Sequence, residues 1–307
     1  MPKNKKNEKS AFFAIVGRPN VGKSSLMNRM LGQKVAIVSR KPQTTRTRIM
    51  GVLTEGPDQL VFLDTPGLLK PRDRLGEYMV KSVTSSVAGV DAALLVVEAG
   101  TGISPADKDL LERFRGLKLP AVLCINKIDL LQDKTRLIPQ ITELSGKYPF
   151  AAVVPVSART GDGVQDLKAE LKKLSQPGGH LFPDDTLTDQ PERVLAGEFV
   201  REKMLRLLDK EVPHGVAVVV THLKEREDGS CLDVDADIYC ERENHKGIII
   251  GKGGRMIREI GTQARQELEH FYGIKVNLQL QVQVKPNWRN KEAALRSFGF
   301  NTKDLLQ

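Results

Sequence analysis

The chain has 307 residues, 40% of them hydrophobic, and its 47 Lys and Arg outnumber 38 Asp and Glu for a formal charge of +9. That length suits two domains, each able to bury its own core. No apolar run approaches the ~20 residues of a membrane-crossing helix, which excludes a spanning protein, and the positive balance favours polyanionic partners.

At the start, Lys3, Lys5, Lys6 and Lys9 precede the apolar Ala11-Phe12-Phe13-Ala14-Ile15-Val16, imitating a signal peptide. The run is shorter than the ~7–15 residues of a signal h-region and leads straight into a glycine loop. Residues 1–10 therefore read as a disordered basic tail and 12–16 as a buried strand. From there β-rich runs at 12–16, 60–63, 92–97, 121–125 and 152–156 alternate with segments of helical period at 23–31, 75–89, 105–115, 134–146 and 164–174. This rhythm predicts an α/β domain over 11–175, with a mostly parallel sheet covered by helices on both faces. Ala92 to Val97, apolar at every position, fits a central strand of such a sheet. Ligands then bind beyond the carboxyl ends of the strands.

Residues 176–190, rich in Pro, Gly and Asp, read as a linker. A second, α+β domain is predicted over 191–290. It comprises a helix at 192–209, strands at 216–224 and 231–240 joined at Asp228-Gly229, a short helix leading into Gly251, a helix from Arg255 to Tyr272, and a strand at 274–284. Its order, helix-strand-strand-helix-helix-strand, is that of a KH domain of the bacterial (type II) topology. Residues 291–307 read as a C-terminal tail. Cys124, Cys231 and Cys240 form no paired framework and read as reduced core residues of a cytoplasmic protein.

Gly17 to Ser24 fits G-x-x-x-x-G-K-[ST] after a strand and before a helix, the setting of a P-loop. Its glycines let amides, including those of Asn20, Val21, Gly22 and Ser25, close around phosphate oxygens. Lys23 would neutralise the β and γ phosphates, and Ser24 would ligate Mg²⁺. Asp64-Thr65-Pro66-Gly67 follows the next strand, with Asp64 reaching Mg²⁺ through water and the Gly67 amide meeting a γ-phosphate. Between them, Pro42-Gln43-Thr44-Thr45-Arg46 reads as a switch loop, with Thr45 as Mg²⁺ ligand and Thr44 as the competing choice. Asn126-Lys127-Ile128-Asp129 and Ser157-Ala158 end later strands. Asp129 can accept from guanine, Asn126 can reach N7, the Lys127 stem can cover the base, and the Ala158 region offers an amide to the carbonyl. Together they specify GTP over ATP. Leu68 stands where Ras-type enzymes place a water-orienting glutamine, so intrinsic hydrolysis is expected to be slow. Asn20 reads either as a potassium ligand or as a residue of the loop's turn.

Downstream, Gly251-Lys252-Gly253-Gly254 lies between Ile248-Ile249-Ile250 and the helix that opens with Arg255 and Arg258. A loop of this kind clamps about four nucleotides of single-stranded RNA, with Lys252, Arg255 and Arg258 as phosphate contacts. Aromatics total 5%, which argues against extensive base stacking. Trp288 reads as either a stacking platform or a packing anchor.

The combination resembles the Era family of bacterial GTPases nearly end to end. It is carried by Pro42 to Arg46, Thr65-Pro66-Gly67 through Lys81, Thr188-Asp189, Arg201-Glu202-Lys203 with Glu211-Val212-Pro213, and the Gly251 to Gly254 loop. Glu98 departs from the usual Asp. The resemblance implies GTP/GDP and Mg²⁺ as ligands and binding to small-subunit (16S) ribosomal RNA near its 3′ end. It further implies assistance in assembling the small ribosomal subunit, in the cytoplasm and in some members at the inner membrane face, with no DNA partner. An RNA chaperone that only senses GTP and a tRNA-modification GTPase are the alternatives.

Overall fold

The computed structural model describes residues 7–67 and 71–300, so Leu68 lies outside the described residues. The first domain runs β1 (Lys9–Val16), α1 (Lys23–Leu31), β2 (Ile49–Glu55), β3 (Asp58–Asp64), α2 (Arg74–Ala88), β4 (Ala92–Glu98), α3 (Pro105–Leu117), β5 (Ala121–Asn126), α4 (Leu137–Ser145), β6 (Ala152–Pro155), α5 (Val164–Lys173) and β7 (Gln176–Pro177). Its main strand order is β2-β3-β1-β4-β5-β6. Neighbours are parallel except the antiparallel β2–β3 pair.

The doubly apolar strands divide their side chains between two cores. Ala92, Leu94 and Val96 of β4 pack with Leu26, Met27 and Met30 of α1 and Leu167 and Leu171 of α5. Ala93, Leu95 and Val97 join Val83 and Val87 of α2, Leu110 and Phe114 of α3 and Leu144 of α4 on the opposite face. Fully burying each large side chain contributes roughly 1.5–3 kcal/mol, so both helical layers are held to the sheet by the same strands.

Two boundaries of this domain differ from the sequence reading. β1 begins at Lys9, inside the expected tail, because Lys9 and Ser10 pair with Asp58 and Gln59 on one side and with Pro177 and Gln176 on the other. Backbone pairing of this kind needs no apolar side chain. The expected linker is likewise strapped to the sheet: Val52 donates its amide to Leu187 O at 2.8 Å, Thr188 Oγ1 donates to Met50 O at 2.6 Å, and Gln59 bonds the backbone of Leu181 and Phe182.

The second domain runs α6 (Glu192–Leu207), β8 (Ala217–Glu225), β9 (Cys231–Cys240), α7 (Glu243–Ile250), α8 (Arg255–Tyr272), β10 (Lys275–Val284) and α9 (Glu292–Ser297). Its sheet has the order β10-β9-β8, with β9 and β10 parallel and β8 antiparallel to β9. On β9, Leu232, Val234, Ala236, Ile238 and Cys240 are buried against α6 and α8. Cys231, expected in the core, falls on the alternate face and is only partly buried; the thiols of Cys124, Cys231 and Cys240 are all free. The expected C-terminal tail includes α9, whose Ala294 and Leu295 pack with Trp288 against Leu75, Tyr78 and Met79 of α2. Trp288 is wholly buried and donates its indole N–H to Gly215 O at 2.9 Å, which makes it a packing anchor and removes it from any stacking role. No helix among the described residues is long and apolar enough to cross a membrane.

Candidate functional site

The phosphate loop curls between the end of β1 and α1. Gly22 takes φ 97°, and a Cβ there would lie 2.3 Å from Asn126 Nδ2, so the close approach of the loop to the end of β5 requires glycine. Lys23, 6% exposed, donates to Gly17 O at 3.0 Å and Arg18 O at 2.9 Å, inside the curl. Burial brings its ammonium down to about 8, opposed by the charges of Asp64 and Asp107. Arg18 is held away from the curl by Asp107 at 3.2 Å and Thr101 Oγ1 at 2.9 Å. Val21 is buried, Ser25 sits on the first turn of α1, and Gly67 packs against Pro19.

Ser24, Thr45 and Asp64 converge from three segments. Ser24 Oγ donates to Asp64 Oδ2 at 2.6 Å and lies 3.0 Å from Thr45 Oγ1, which is 3.4 Å from the same carboxylate oxygen. Asp64 is wholly buried, its Oδ1 has no hydrogen-bond partner, and burial raises its acid to about 6 against the pull of Lys23. A buried set of hydroxyl and carboxylate oxygens with a spare lone pair fits Mg²⁺, a hard cation held by few protein ligands and several waters. Thr44 turns elsewhere: its hydroxyl bonds Ser39 Oγ and Lys41 O, both at 2.7 Å. Of the two threonines, Thr45 is the one that faces Ser24 and Asp64.

Asn126 is 1% exposed, and its amide both donates to Val21 O at 2.8 Å and accepts from the Ala158 backbone N–H at 3.0 Å. Asn126 therefore braces the phosphate loop against the Ser157-Ala158 turn, with one amide proton left for a base nitrogen. The Ala158 amide, expected to face a base carbonyl, is spent on this brace. Ser157 Oγ donates to Asp129 Oδ1 at 2.6 Å, orienting the carboxylate. Lys127 pairs with Glu98 at 2.7 Å, so the longer Glu98 side chain holds the lysine. Asn20 takes φ 66° and donates its amide to Arg40 O at 3.0 Å.

In the second domain, α7 ends at Gly251, whose φ of 71° and 2.7 Å Cβ approach to Met256 Cβ demand glycine. Gly253 and Gly254 also take positive φ, and Lys252, Arg255 and Arg258 are exposed around them at the N-terminus of α8. Ile249 is buried core, whereas Ile248 is 48% exposed beside the loop.

One feature is absent from the sequence reading. The segment from Ile37 to Arg46 is bound to the second domain. Ile37 is wholly buried in that domain's core with Leu195, Phe199 and Val234. The Val38 amide donates to Glu202 Oε1 at 2.8 Å, and the Arg46 guanidinium donates to Val216 O at 2.6 Å and His214 O at 2.8 Å. A single isoleucine and a single docking arginine in a polar loop carry no periodic signal by which such docking is recognised.

Residues 12–127 match the family described as "50S ribosome-binding GTPase", and residues 211–289 match the KH domain. Together with the phosphate loop, the oxygen cluster and the Asn126-to-Asp129 turn, these matches define a P-loop GTPase domain followed by a KH domain. GTPase Era of Clostridioides difficile (strain 630) is 48% identical over 295 residues, covering 96% of this chain and 99% of that relative. GTPase Era of Lacticaseibacillus paracasei is 47% identical over 296 residues, covering 96% and 98%. A crystal structure of Era in complex with MgGDPNP and nucleotides 1506–1542 of 16S ribosomal RNA superposes with a TM-score of 0.91 at 41% identity, covering 95% of this chain and 99% of that one. An Aquifex aeolicus Era variant bound to GDP·AlF4⁻ gives the same TM-score, identity and coverage. The chain belongs to the Era family of GTPases.

Proposed function

We propose that this chain is a switch in which GTP held by the first domain controls the grip of the KH domain on small-subunit ribosomal RNA near its 3′ end, assisting assembly of the small ribosomal subunit in the cytoplasm. The observation that carries this reading is the position of Thr45, which shares an oxygen cluster with Ser24 and Asp64 while its segment is held by the KH domain. The relative crystallised with a 16S fragment supports the choice of RNA.

In this reading the amides from Gly17 to Ser25 enclose the phosphates at the positive end of α1. Lys23 exchanges its two carbonyl acceptors for β and γ phosphate oxygens. Ser24 and Thr45 would hold Mg²⁺, with Asp64 acting through water; the ion would neutralise charge that develops during phosphoryl transfer. Gly67 offers its amide to the γ-phosphate. Asp129, fixed by Ser157, accepts from the guanine ring N–H and amino group, while Lys127 covers the base and Asn126 reaches N7. Hydrolysis removes the γ-phosphate contacts of Thr45 and Gly67, which releases their loops and relaxes the KH domain's hold. Asn20, with its amide nitrogen tied to Arg40 O, would offer its side-chain oxygen to a potassium ion, which would supply the positive charge of an arginine finger. Lys252, Arg255 and Arg258 bind RNA phosphates around Gly251, Gly253 and Gly254. The lysines of the first ten residues supply affinity for anionic lipid at the inner membrane face.

Crosslinking to ribosomal RNA with GDPNP or GDP, alongside hydrolysis assays in KCl and NaCl, tests the proposal. Crosslinks near the 3′ end that strengthen with GDPNP, and faster hydrolysis in KCl, are expected. Equal RNA affinity in the two nucleotide states overturns the gate, and equal rates in the two salts overturn the role of Asn20.

A further inference from the structure

Both residues flanking Thr45 are tied to the KH domain. On one side, the Thr44 carbonyl accepts a hydrogen bond from Arg201 Nη2 of α6, the same nitrogen that together with Nε pairs with Glu198. On the other side, Arg46 donates to the carbonyls of Val216 and His214 and lies 5.9 Å from the centroid of the Trp288 ring. Arg201 and Arg46 are each 2% exposed. Thr45 itself points the opposite way, into the oxygen cluster of Ser24 and Asp64.

This arrangement is poorly designed for stability alone. Arg46 Nε and Arg201 Nη1 are buried without hydrogen-bond partners, and a buried guanidinium with a spare donor is a cost that an apolar side chain in the same space avoids. What the two arginines do accomplish is geometric. They fix the backbone before and after Thr45, so that its hydroxyl is presented without the freedom a surface loop otherwise loses on closing over a ligand.

We propose that Arg201 and Arg46 are positioning residues for Thr45, and that the KH domain is thereby a working part of the nucleotide site that favours the triphosphate. Thr45 is the group that distinguishes GTP from GDP in the switch reading above, on which this inference rests. Loosening its bracket therefore weakens the triphosphate selectively, whereas general damage to the fold weakens both nucleotides.

The test is equilibrium titration of the full chain with fluorescent GDPNP and GDP in Mg²⁺, without RNA. Arg201→Ala and Arg46→Ala are expected to lose roughly tenfold affinity for GDPNP, within the range usual for coupling between sites, while GDP affinity stays within about twofold. Arg201→Lys, which keeps one donor within reach of Thr44 O, is expected to recover part of the loss. Should Arg46→Ala not fold, the Arg201→Ala and Arg201→Lys pair decides the matter. Unchanged GDPNP affinity, or an equal loss for both nucleotides, overturns the proposal. Because RNA is absent, the outcome separates from that of the gate: a shifted GDPNP-to-GDP ratio with RNA binding indifferent to nucleotide keeps the bracket and sinks the gate, and the reverse pair of results does the opposite.

Discussion

Asn126 joins two parts of the nucleotide site through one amide, since it bonds the phosphate loop at Val21 and the turn at Ala158. Asn126→Ala leaves a buried carbonyl and a buried N–H unpaired, at about 1–3 kcal/mol each. The variant is expected to melt several degrees lower and to bind both GTP and GDP on the order of a hundredfold more weakly, measured by thermal denaturation and by titration with a fluorescent nucleotide. At this scale much was legible, because each motif pairs a side-chain type with a phosphate, a metal or a base edge. What the motif did not contain was the partner inside the protein. Thr44 and Thr45 are chemically the same residue, and only the hydrogen bonds of Thr44 to Ser39 and Lys41 separate them. The brace between Asn126 and Ala158 was equally hidden, since both had been assigned to the base.

Among the elements, β4 and β5 announced themselves through continuous apolar runs that fill two cores. β2 did not, because it is an antiparallel edge strand that carries Gly51 and follows a Thr- and Arg-rich loop. α9 is six residues long, too short for a period, and is held by its packing on Trp288. The linker has a composition with no periodic pattern, yet His180 clasps it to the sheet. Nδ1 lies 2.7 Å from Asp184 Oδ1 and Nε2 lies 3.2 Å from Pro57 O, two acceptors that only the imidazolium satisfies together. Burial works against that charge, but the bonds to Asp184 and Pro57, with Glu8 nearby, outweigh it and raise the pKa above 6.5. A raised folded-state value means the clasp stabilises fully below pH 6.5 and fades as pH rises through that higher value. Thermal melts are expected to show this loss in the wild-type chain and not in His180→Gln, and an NMR titration of the ring reads the value directly.

For the molecule as a whole, the charge of +9 said little until placed. On β9, Asp233 is neutralised by Arg226 and accepts a hydrogen bond from Asn277, while Lys252, Arg255 and Arg258 stand exposed at the glycine loop. Each exposed cation that meets a phosphate releases a counterion, so Lys252→Ala is expected to weaken RNA binding across sequences and to reduce the slope of log affinity against log salt by about 1. Binding titrations from low to high KCl check this. A change confined to one RNA sequence speaks for a base contact instead. The succession of a GTPase domain and a KH domain was legible from the change in the order of elements along the chain. The interface was not, because nothing in a linear sequence shows that Ile37, Arg46 and Trp288 face the other domain.

The strap along the sheet edge has one more effect. The polypeptide is pinned as far as Thr188 and re-enters regular structure at Glu192, so Asp189, Gln190 and Pro191 alone span the gap, with the Gln190 amide bonded back to Thr188 Oγ1 at 3.2 Å. Three residues reach about 10 Å at full stretch, and proline stiffens one of them. Any opening between the two halves is thus a pivot on a short leash, and each half meets the other at an effective concentration of millimolar or above, so closure is quick and needs no search.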